Sequence, residues 1–348
     1  MRKKVLVAPL NWGLGHATRC IPIIQALLAH GFEPVLASDG AALTLLQKEF
    51  PKLLAIELPS YGIQYAKKAS HFKLKLLKNI PKILKAIRAE NKAIKHIVKD
   101  HDIIGVISDN RLGVRCKKVP SVYITHQLNV LSGSTTWFST KLHQNIIKKF
   151  DACWVPDVKD EPSLSGKLGH TYNFIIPTTY IGPLSRFKPS SSKKTNPILV
   201  LLSGPEPQRT LLETKLFSAF KNYPQQVVFV KGTMEKKQTI ETLGNLIIYN
   251  YMTSVLLEQT INNSALVISR SGYTSIMDLA KLNKKAFFIP TPGQYEQEYL
   301  AKRLQDLNLA YSCHQDDFDL HKLEKANAFK ALPPFNFEQD FKSLFRLF

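Results

Sequence analysis

Two stretches decide the fold: Lys4-Val5-Leu6-Val7-Ala8-Pro9-Leu10-Asn11-Trp12-Gly13-Leu14-Gly15-His16, and Ile198-Leu199-Val200-Leu201-Leu202-Ser203-Gly204-Pro205-Glu206-Pro207. Each is a short apolar run that ends in a turn containing glycine. After the first, Ile21, Ile23, Ile24, Leu27 and Leu28 fall at near-helical spacing and stop near Gly31. After the second, residues 208–220 read as a helix. A buried strand, a tight turn and a helix, begun twice, predict an α/β protein with two parallel sheets.

Working outward, strands are expected at 34–38, 103–109 and 121–126 in the first half. In the second they are expected at 226–231, 246–249, 266–269 and 286–289. Residues 41–50 read as a helix between two of them. The composition changes at Phe187 to Pro197, a stretch of Lys, Pro, Ser and Asn that reads as a linker or exposed turn. A chain of 348 residues suits two domains. The expected division is 1–184 and 185–334. The phenylalanine spacing of 335–348 suggests a closing helix that docks back on the first domain. In doubly wound sheets ligands bind beyond the C-terminal ends of the strands, so the site is expected in a cleft between two facing domains.

Composition narrows the class. Hydrophobic residues make up 44% and charged residues 21%, which fits a packed protein and excludes a disordered one. No uncharged apolar run approaches the ~18–20 residues of a membrane span. Met1 to Lys4 followed by Val5 to Leu10 is too short for a signal segment and reads as a strand. The four cysteines, Cys20, Cys116, Cys153 and Cys313, form no C-x-x-C pair, so a reducing cytoplasmic setting is expected. Net charge is +20. It peaks between Lys67 and Lys99, with eleven basic residues and one acid, Glu90. Leu74, Leu76, Leu77, Ile80, Ile83, Leu84, Ile87, Ile94 and Ile97 run through this segment at near-helical spacing. It therefore reads as one or two basic amphipathic helices. Two readings stand there: a solvated helix face over an ordinary core stripe, or attraction to an anionic membrane. No nucleic-acid motif accompanies the charge, so nucleic acid is not an expected partner.

Several loops carry groups with chemistry. Gly13, Gly15 and His16 open a helix after a strand, where backbone can approach a ligand and an anion is favoured. A dinucleotide fingerprint needs a small residue where Thr18 stands, so Asp39 is a weak candidate for a ribose acid. His16 is a candidate general base, and Asp109, ending another strand, a candidate orienter for it. The plainer roles are a histidine satisfied by backbone and a turn aspartate. His126 and Asn129 follow a further strand on the same edge. In the second half, Ser269-Arg270-Ser271-Gly272-Tyr273-Thr274-Ser275 leads from a strand into a helix, a place suited to a diphosphate. Ser275 and Asp278 have capping-box spacing, so Asp278 either caps or grips ribose hydroxyls. Gln294, Glu296 and Gln297 follow a Pro-Gly loop and can grip sugar hydroxyls. Asp100-His101-Asp102 and Asp317-Phe318-Asp319 are nominal Asp-x-Asp motifs, neither placed at a strand end. No metal site is expected.

These motifs together resemble those of the GT-B nucleotide-sugar glycosyltransferases, above all the family 28 group that includes the peptidoglycan UDP-N-acetylglucosamine transferase and its relatives. The likeness spans nearly the whole chain and is strongest over 266–300. It implies the GT-B architecture, two Rossmann-like domains facing across a cleft. It also implies roles by matching motif. Gly13, Gly15 and His16 would face acceptor and transferred sugar, and His126 and Asn129 would line the acceptor side. Arg186, Ser203 and Gly204 would meet the donor phosphates, and Ser271, Gly272 and Thr274 belong to the donor signature. Asp278 would hold the ribose, Gln297 the donor sugar, and the stretch around Tyr251 the base. Departures are plain: a shorter first glycine loop, Ser203-Gly204-Pro205-Glu206-Pro207 in place of Gly-Gly-Ser-Gln-Gly, and Asp for Glu at 278. They argue against the peptidoglycan acceptor itself.

The resemblance implies an inverting, metal-independent hexosyltransferase with no cofactor, using a nucleotide-sugar donor, UDP-linked by expectation. The acceptor would be a hydroxyl, on a lipid or envelope glycan, at the inner face of a membrane. Two rival classes share the fold: a nucleotide-sugar epimerase and a non-catalytic sugar-nucleotide binding protein. The epimerase needs no acceptor, and the binding protein turns nothing over.

Overall fold

The computed structural model describes residues 2–62, 72–171, 176–190, 196–334 and 337–348, and for 72–80 and 196 the backbone alone. The chain forms two compact units. One comprises 74–184 with the preceding described residues to 62 and the C-terminal stretch from 337; the other comprises 185–334.

The first unit runs β1 (Lys4–Pro9), α1 (Gly15–Ala29), β2 (Glu33–Ser38), α2 (Gly40–Glu49), β3 (Ala55–Glu57), α3 (Phe72–Asp100), β4 (Ile103–Asp109), β5 (Ser121–Ile124), α4 (Thr136–Ile147), β6 (Ala152–Val155) and β7 (Thr178–Tyr180). Its seven strands are all parallel, in the order β3-β2-β1-β4-β5-β6-β7. Val5, Leu6, Val7 and Ala8 are fully buried, as are Val106 and Ile107 in β4. Continuous apolar strands of this kind fit a sheet covered on both faces. The order reverses between β1 and β4, so the loops leaving these neighbours diverge and open a crevice.

The second unit repeats the plan. It runs β8 (Asn196–Leu201), α5 (Gln208–Phe220), β9 (Val227–Val230), β10 (Ile240–Leu243), β11 (Leu246–Tyr249), α6 (Ser254–Asn263), β12 (Ser264–Ser269), α7 (Tyr273–Lys281), β13 (Lys285–Phe288), α8 (Tyr295–Asp306), β14 (Tyr311–Ser312) and α9 (Lys322–Ala326). Strand order is β10-β11-β9-β8-β12-β13-β14, parallel except for the β10–β11 hairpin. Its core joins Val200, Leu216, Phe220, Phe229, Ile268 and Phe287. Two doubly wound α/β sheets are therefore present, as the repeated opening predicts. The short strands β3, β6, β7, β10 and β14 carry no alternation long enough to announce them.

The basic segment 67–99 lies partly outside the described residues. Within them it is one helix, α3, which contains Pro81. From residue 81 on, most of its apolar residues face inward: Ile94 and Val98 are buried, and Ile83 and Ile87 pack against Leu10, Tyr61 and Ala86, while Leu84 is 47% exposed. Lys82, Lys85, Arg88, Lys92, Lys95 and Lys99 stay exposed. That is an ordinary core helix with a basic outer face.

Helix α4 is turned the other way. Trp137 (72% exposed), Phe138 (61%) and Leu142 (50%) point outward, and Lys141 Nζ lies 4.9 Å from the Trp137 ring centre. Its inward face is largely polar. Val130 N–H donates to Thr140 Oγ1 at 3.0 Å, Ser132 N–H to Thr136 Oγ1 at 3.0 Å, and Gln144 Nε2 to the Leu128 carbonyl at 3.0 Å. Hydrogen bonds hold most of this face, with Ile147 at its end buried against Tyr123 and Leu128.

The expected helix over 335–348 is much shorter: α10 (Phe341–Leu344) and a single 3-10 turn, Phe345–Leu347. Anchoring, more than helical length, organises this end. The Phe345 ring meets His30 at 5.5 Å and Phe32 at 5.8 Å, and Phe348 meets Trp154 at 6.3 Å. A Cβ on Gly105 would come 2.2 Å from Phe348 Cδ1, so β4 needs glycine where that ring seats. Gln339 Nε2 donates to the Pro183 carbonyl at 2.9 Å.

Candidate active site

In the first unit the loops leaving β1, β4 and β5 bring three expected residues together. His16 opens α1 immediately after Gly15, and its Nδ1 lies 2.8 Å from Asp109 Oδ1. Asp109 ends β4 and is fully buried; His126 follows β5 and is buried too. Joining them is Arg19, 1% exposed, one helical turn beyond His16. Its Nε donates to Asp109 Oδ2 at 2.5 Å, its Nη2 to Asp109 Oδ1, and its Nη1 lies 2.9 Å from His126 Nδ1. Burial alone would raise the Asp109 carboxyl. Arg19 and His16 outweigh it and hold that group down at about 2. The base–orienter geometry is thus formed, with an ionised carboxylate behind the imidazole. Cys20 Sγ completes the surround at 3.5 Å from Asp109 Oδ2, and burial pushes its thiol well up.

Arg19 is absent from the expectations above, yet a signal exists. It is the only Lys or Arg in α1, a helix with no acidic residue and with Ala17, Cys20, Ile21, Ile23 and Ile24 all buried. A charge on such a helix must find its carboxylate elsewhere.

Two other expectations resolve into framework. Asn129 donates through Nδ2 to the carbonyls of Lys167 (2.7 Å) and His170 (2.6 Å), bracing the loop that follows β6. Asp39 belongs to a buried ion network and not to a ribose: its Oδ1 receives Arg111 Nη1 at 2.7 Å and its Oδ2 receives Asn11 Nδ2 at 3.1 Å. Arg111 Nε also reaches Glu90 Oε1 at 2.5 Å, and Tyr61 Oη donates to Glu90 Oε2 at 2.6 Å. Desolvation raises the Glu90 carboxyl, with Arg111 and Tyr61 opposing. Loss of one partner from such a set typically costs about 3–5 kcal/mol.

In the second unit the expected residues gather beyond the adjacent strands β8, β12 and β13. Gly204, after β8, has φ +101°, a conformation that side chains resist, and a Cβ there would meet nothing within 4 Å. Gly272 is the N-cap of α7, and a Cβ there would also meet nothing. Open space thus lies over two glycines, one at a helix start where free N–H groups favour an anion. Between them in the sheet, Arg270 is buried among neutral acceptors: the carbonyls of Gln208 (2.8 Å), Ile289 (3.1 Å) and Pro290 (3.0 Å), and Gln315 Oε1 at 2.6 Å. Desolvation lowers its guanidinium to about 10. It ties together the loops that carry Ser203, Ser271 and Thr291.

The remaining donor-side residues divide. Ser271 Oγ donates to the Gln297 carbonyl at 2.8 Å, and Gln297 Oε1 receives Thr291 N–H at 2.8 Å. Both therefore shape the Pro-Gly loop from within. Thr274 lies in the first turn of α7, and Gln294 and Glu296 lie at the start of α8, all half-buried. Tyr251 is buried, and its backbone is held by Asn250 Oδ1 at 2.9 Å and by Gln238 Nε2 at 2.8 Å. The capping role for Asp278 falls away, because Gly272 and not Ser275 is the N-cap. Instead Asp278 Oδ1 receives Ser185 Oγ at 2.6 Å. Burial pushes its carboxyl up to about 6, while Arg186 and Ser185 act to lower it. Arg186 itself lies over the Phe187 ring at 4.8 Å. Neither Asp-x-Asp motif joins the site: Asp102 turns into β4 with φ 54°, and Asp319 Oδ1 receives His321 N–H at 2.9 Å.

Residues 205–333 match the glycosyltransferase family 28 C-terminal domain. Over 142 residues, 40% of this chain and 39% of the relative, the sequence is 27% identical to the UDP-N-acetylglucosamine–N-acetylmuramyl-(pentapeptide) pyrophosphoryl-undecaprenol N-acetylglucosamine transferase of Sulfurihydrogenibium sp.. The protein of the same name from Histophilus somni is 24% identical over 335 residues, covering 92% of this chain and 88% of its own. Among solved structures, the spinosyn forosaminyltransferase SpnP superposes with a TM-score of 0.60 at 13% identity, covering 94% of this chain and 90% of that one. This last likeness is one of fold.

Proposed function

We propose that this chain, a glycosyltransferase of GT-B fold whose residues 205–333 match the family 28 C-terminal domain, is an inverting hexosyltransferase that uses a UDP-linked donor and a lipid-linked acceptor hydroxyl. The observation that carries this reading is the His16–Asp109 pair at 2.8 Å. Asp109 orients the ring and stabilises the charge that His16 gains. The acceptor oxygen attacks the anomeric carbon of the donor sugar. His16 Nε2 takes the hydroxyl proton as the new C–O bond forms. The bond to the diphosphate oxygen breaks, and UDP departs with that electron pair. One displacement from the face opposite the leaving group inverts the anomeric centre.

On the donor side, the spaces over Gly204 and Gly272 suit the diphosphate, and the N–H groups at the start of α7 suit its charge. Arg186 and Arg270 add positive charge to this unit, so the departing diphosphate is stabilised without a metal ion or cofactor. Asp278 takes the ribose hydroxyls, and the backbone at Tyr251 takes the base. Gln294, Glu296 and Gln297 belong to the sugar-facing loop.

Support for a lipid-linked acceptor comes from the two related pyrophosphoryl-undecaprenol N-acetylglucosamine transferases and from α4, whose aromatic face is turned to solvent. Leaving aside Arg111, which is buried and paired, residues 112–150 hold six Lys or Arg and no Asp or Glu. Tryptophan with neighbouring lysines suits the interface of an anionic bilayer. The basic outer face of α3 adds long-range attraction of the same sign.

The test is a transfer assay with UDP-, GDP- and dTDP-sugars and a lipid-diphosphate sugar acceptor, run beside His16→Ala. The expected result is an inverted glycoside from a UDP-sugar only, abolished by His16→Ala with donor binding retained. Full turnover by His16→Ala would sink the base assignment, and product from another nucleotide would replace the donor.

A further inference from the structure

Half-buried His16 and buried Arg19, Asp109 and His126 form a set that constrains hydrogens as well as positions. A carboxylate accepts hydrogen bonds only, and a guanidinium only donates. His16 Nδ1 faces Asp109 Oδ1 at 2.8 Å. That nitrogen must carry a hydrogen, so in the neutral ring the lone pair is on Nε2. His126 Nδ1 faces Arg19 Nη1 at 2.9 Å. That nitrogen must be the acceptor, which leaves the hydrogen on Nε2. Arg19 Nη2 also lies 2.9 Å from His16 Nδ1. Were that contact a hydrogen bond, the Nδ1 lone pair would be pressed against the lone pairs of Asp109 Oδ1. Both N–H groups instead converge on that one carboxylate oxygen.

We infer that Arg19 is a positioning residue that holds His16 and His126 in opposite neutral tautomers, an acceptor at His16 Nε2 and a donor at His126 Nε2. One fork does both. Its Nε and Nη2 face anchor Asp109, which sets His16, while Nη1 reaches His126. A doubly protonated His126 would set donor against donor at Nη1, so the ring stays neutral as long as the fork is in place. Lysine has no equivalent, since one ammonium lacks the rigid geometry that reaches both partners. The benefit to transfer rests on the reading of His16 as the base. On that reading the pair couples an acceptor at His16 Nε2 with a hydrogen at His126 Nε2, without competition for the same proton.

The test is spectroscopic and needs no turnover. In the full chain labelled with 15N at histidine and arginine, two-bond proton–nitrogen correlations report which ring nitrogen is protonated. His16→Gln and His126→Gln assign the signals. The expected pattern is Nδ1–H at His16 and Nε2–H at His126, with a nitrogen–nitrogen coupling through the hydrogen bond from Arg19 Nη1 to His126 Nδ1. Hydrogens on the same nitrogen of both rings, or no such coupling, would overturn the inference without recourse to any Arg19 variant. In Arg19→Lys, where the fold persists, His126 is expected to average between tautomers while His16 keeps Nδ1–H. An unchanged His126 would remove Arg19 from the role. If His16→Ala proves active while these spectra hold, the base reading fails and the tautomer lock stands.

Discussion

On the proposed function, Asp278 is a residue whose ligand role works against the stability of the fold. Its carboxyl is enclosed, pushed up to about 6, and held by Ser185 Oγ. The folded chain therefore keeps that proton more readily than the unfolded chain, whose aspartate titrates near the ordinary value of ~3.9. Above pH ~6 the folded state must carry a desolvated charge; between about 6 and 4 it sheds that charge and gains stability; below that window the two states no longer differ. Asp278→Asn keeps the shape and removes the charge. Its melting temperature should exceed that of the native chain at pH 8, and the gap should close as pH falls below the window. A gap independent of pH would refute the buried ionisation. Binding of UDP should weaken in the same variant at pH 8, because two ribose hydroxyls lose an ionised acceptor. Asp109 has the opposite sign: a carboxyl held near 2 contributes stability above the usual carboxylate range, lost as pH falls towards 2. At this scale the sequence announces His16 and Asp109, because both end or follow an apolar strand. It conceals Arg19, whose partners stand 90 and 107 positions away, and it gives no sign of the role of Asp39, which depends on Arg111 reaching back across the sheet.

At the scale of elements, legibility follows burial. Strands β1, β4, β8 and β12 have continuous apolar centres because they are covered on both sides, so composition finds them. The edge strands β10 and β14 lack that cover and that signature. Helix α4 is the instructive case, because Trp137, Phe138 and Leu142 mark the side away from the protein while Ile147 alone among its hydrophobic residues is fully buried. A reader of the sequence would turn Trp137, Phe138 and Leu142 inward. The threonine and glutamine hydrogen bonds to 128–132 turn them outward instead. A helix so arranged gains little for folding from its aromatic residues. Trp137→Ser with Phe138→Ser should therefore change stability by no more than about 0.5 kcal/mol per site, as exposed positions do. The same double variant should lose most of its partition to vesicles that contain anionic lipid, measured by co-sedimentation. Unchanged partition would leave the basic outer face of α3 as the sole membrane contact, and binding to neutral vesicles alone would remove the electrostatic part altogether.

At the scale of the whole molecule, the same plan is used twice on different chemistry. Each unit places its polar loops beyond neighbouring strands where the order reverses, β1 and β4 in one, β8 and β12 in the other. The repeat of strand, glycine turn and helix made this legible before any side chain was placed. The assignment of ligands to units was less so, because glycine at a strand end suits a sugar and a phosphate alike. The aromatic inventory supplies a way to decide it. All three tryptophans, Trp12, Trp137 and Trp154, belong to the first unit. Tryptophan fluorescence therefore follows the melting of that unit, while far-UV circular dichroism follows both. A nucleotide at 100 times its dissociation constant stabilises the state that binds it by ~2.7 kcal/mol. With UDP held by the second unit, the dichroism transition should rise by at least as much as the fluorescence transition. Asp278→Asn should reduce that rise. A shift confined to tryptophan fluorescence would place the nucleotide in the first unit, and the assignment of Ser203, Gly204, Gly272 and Asp278 to the donor would have to be given up.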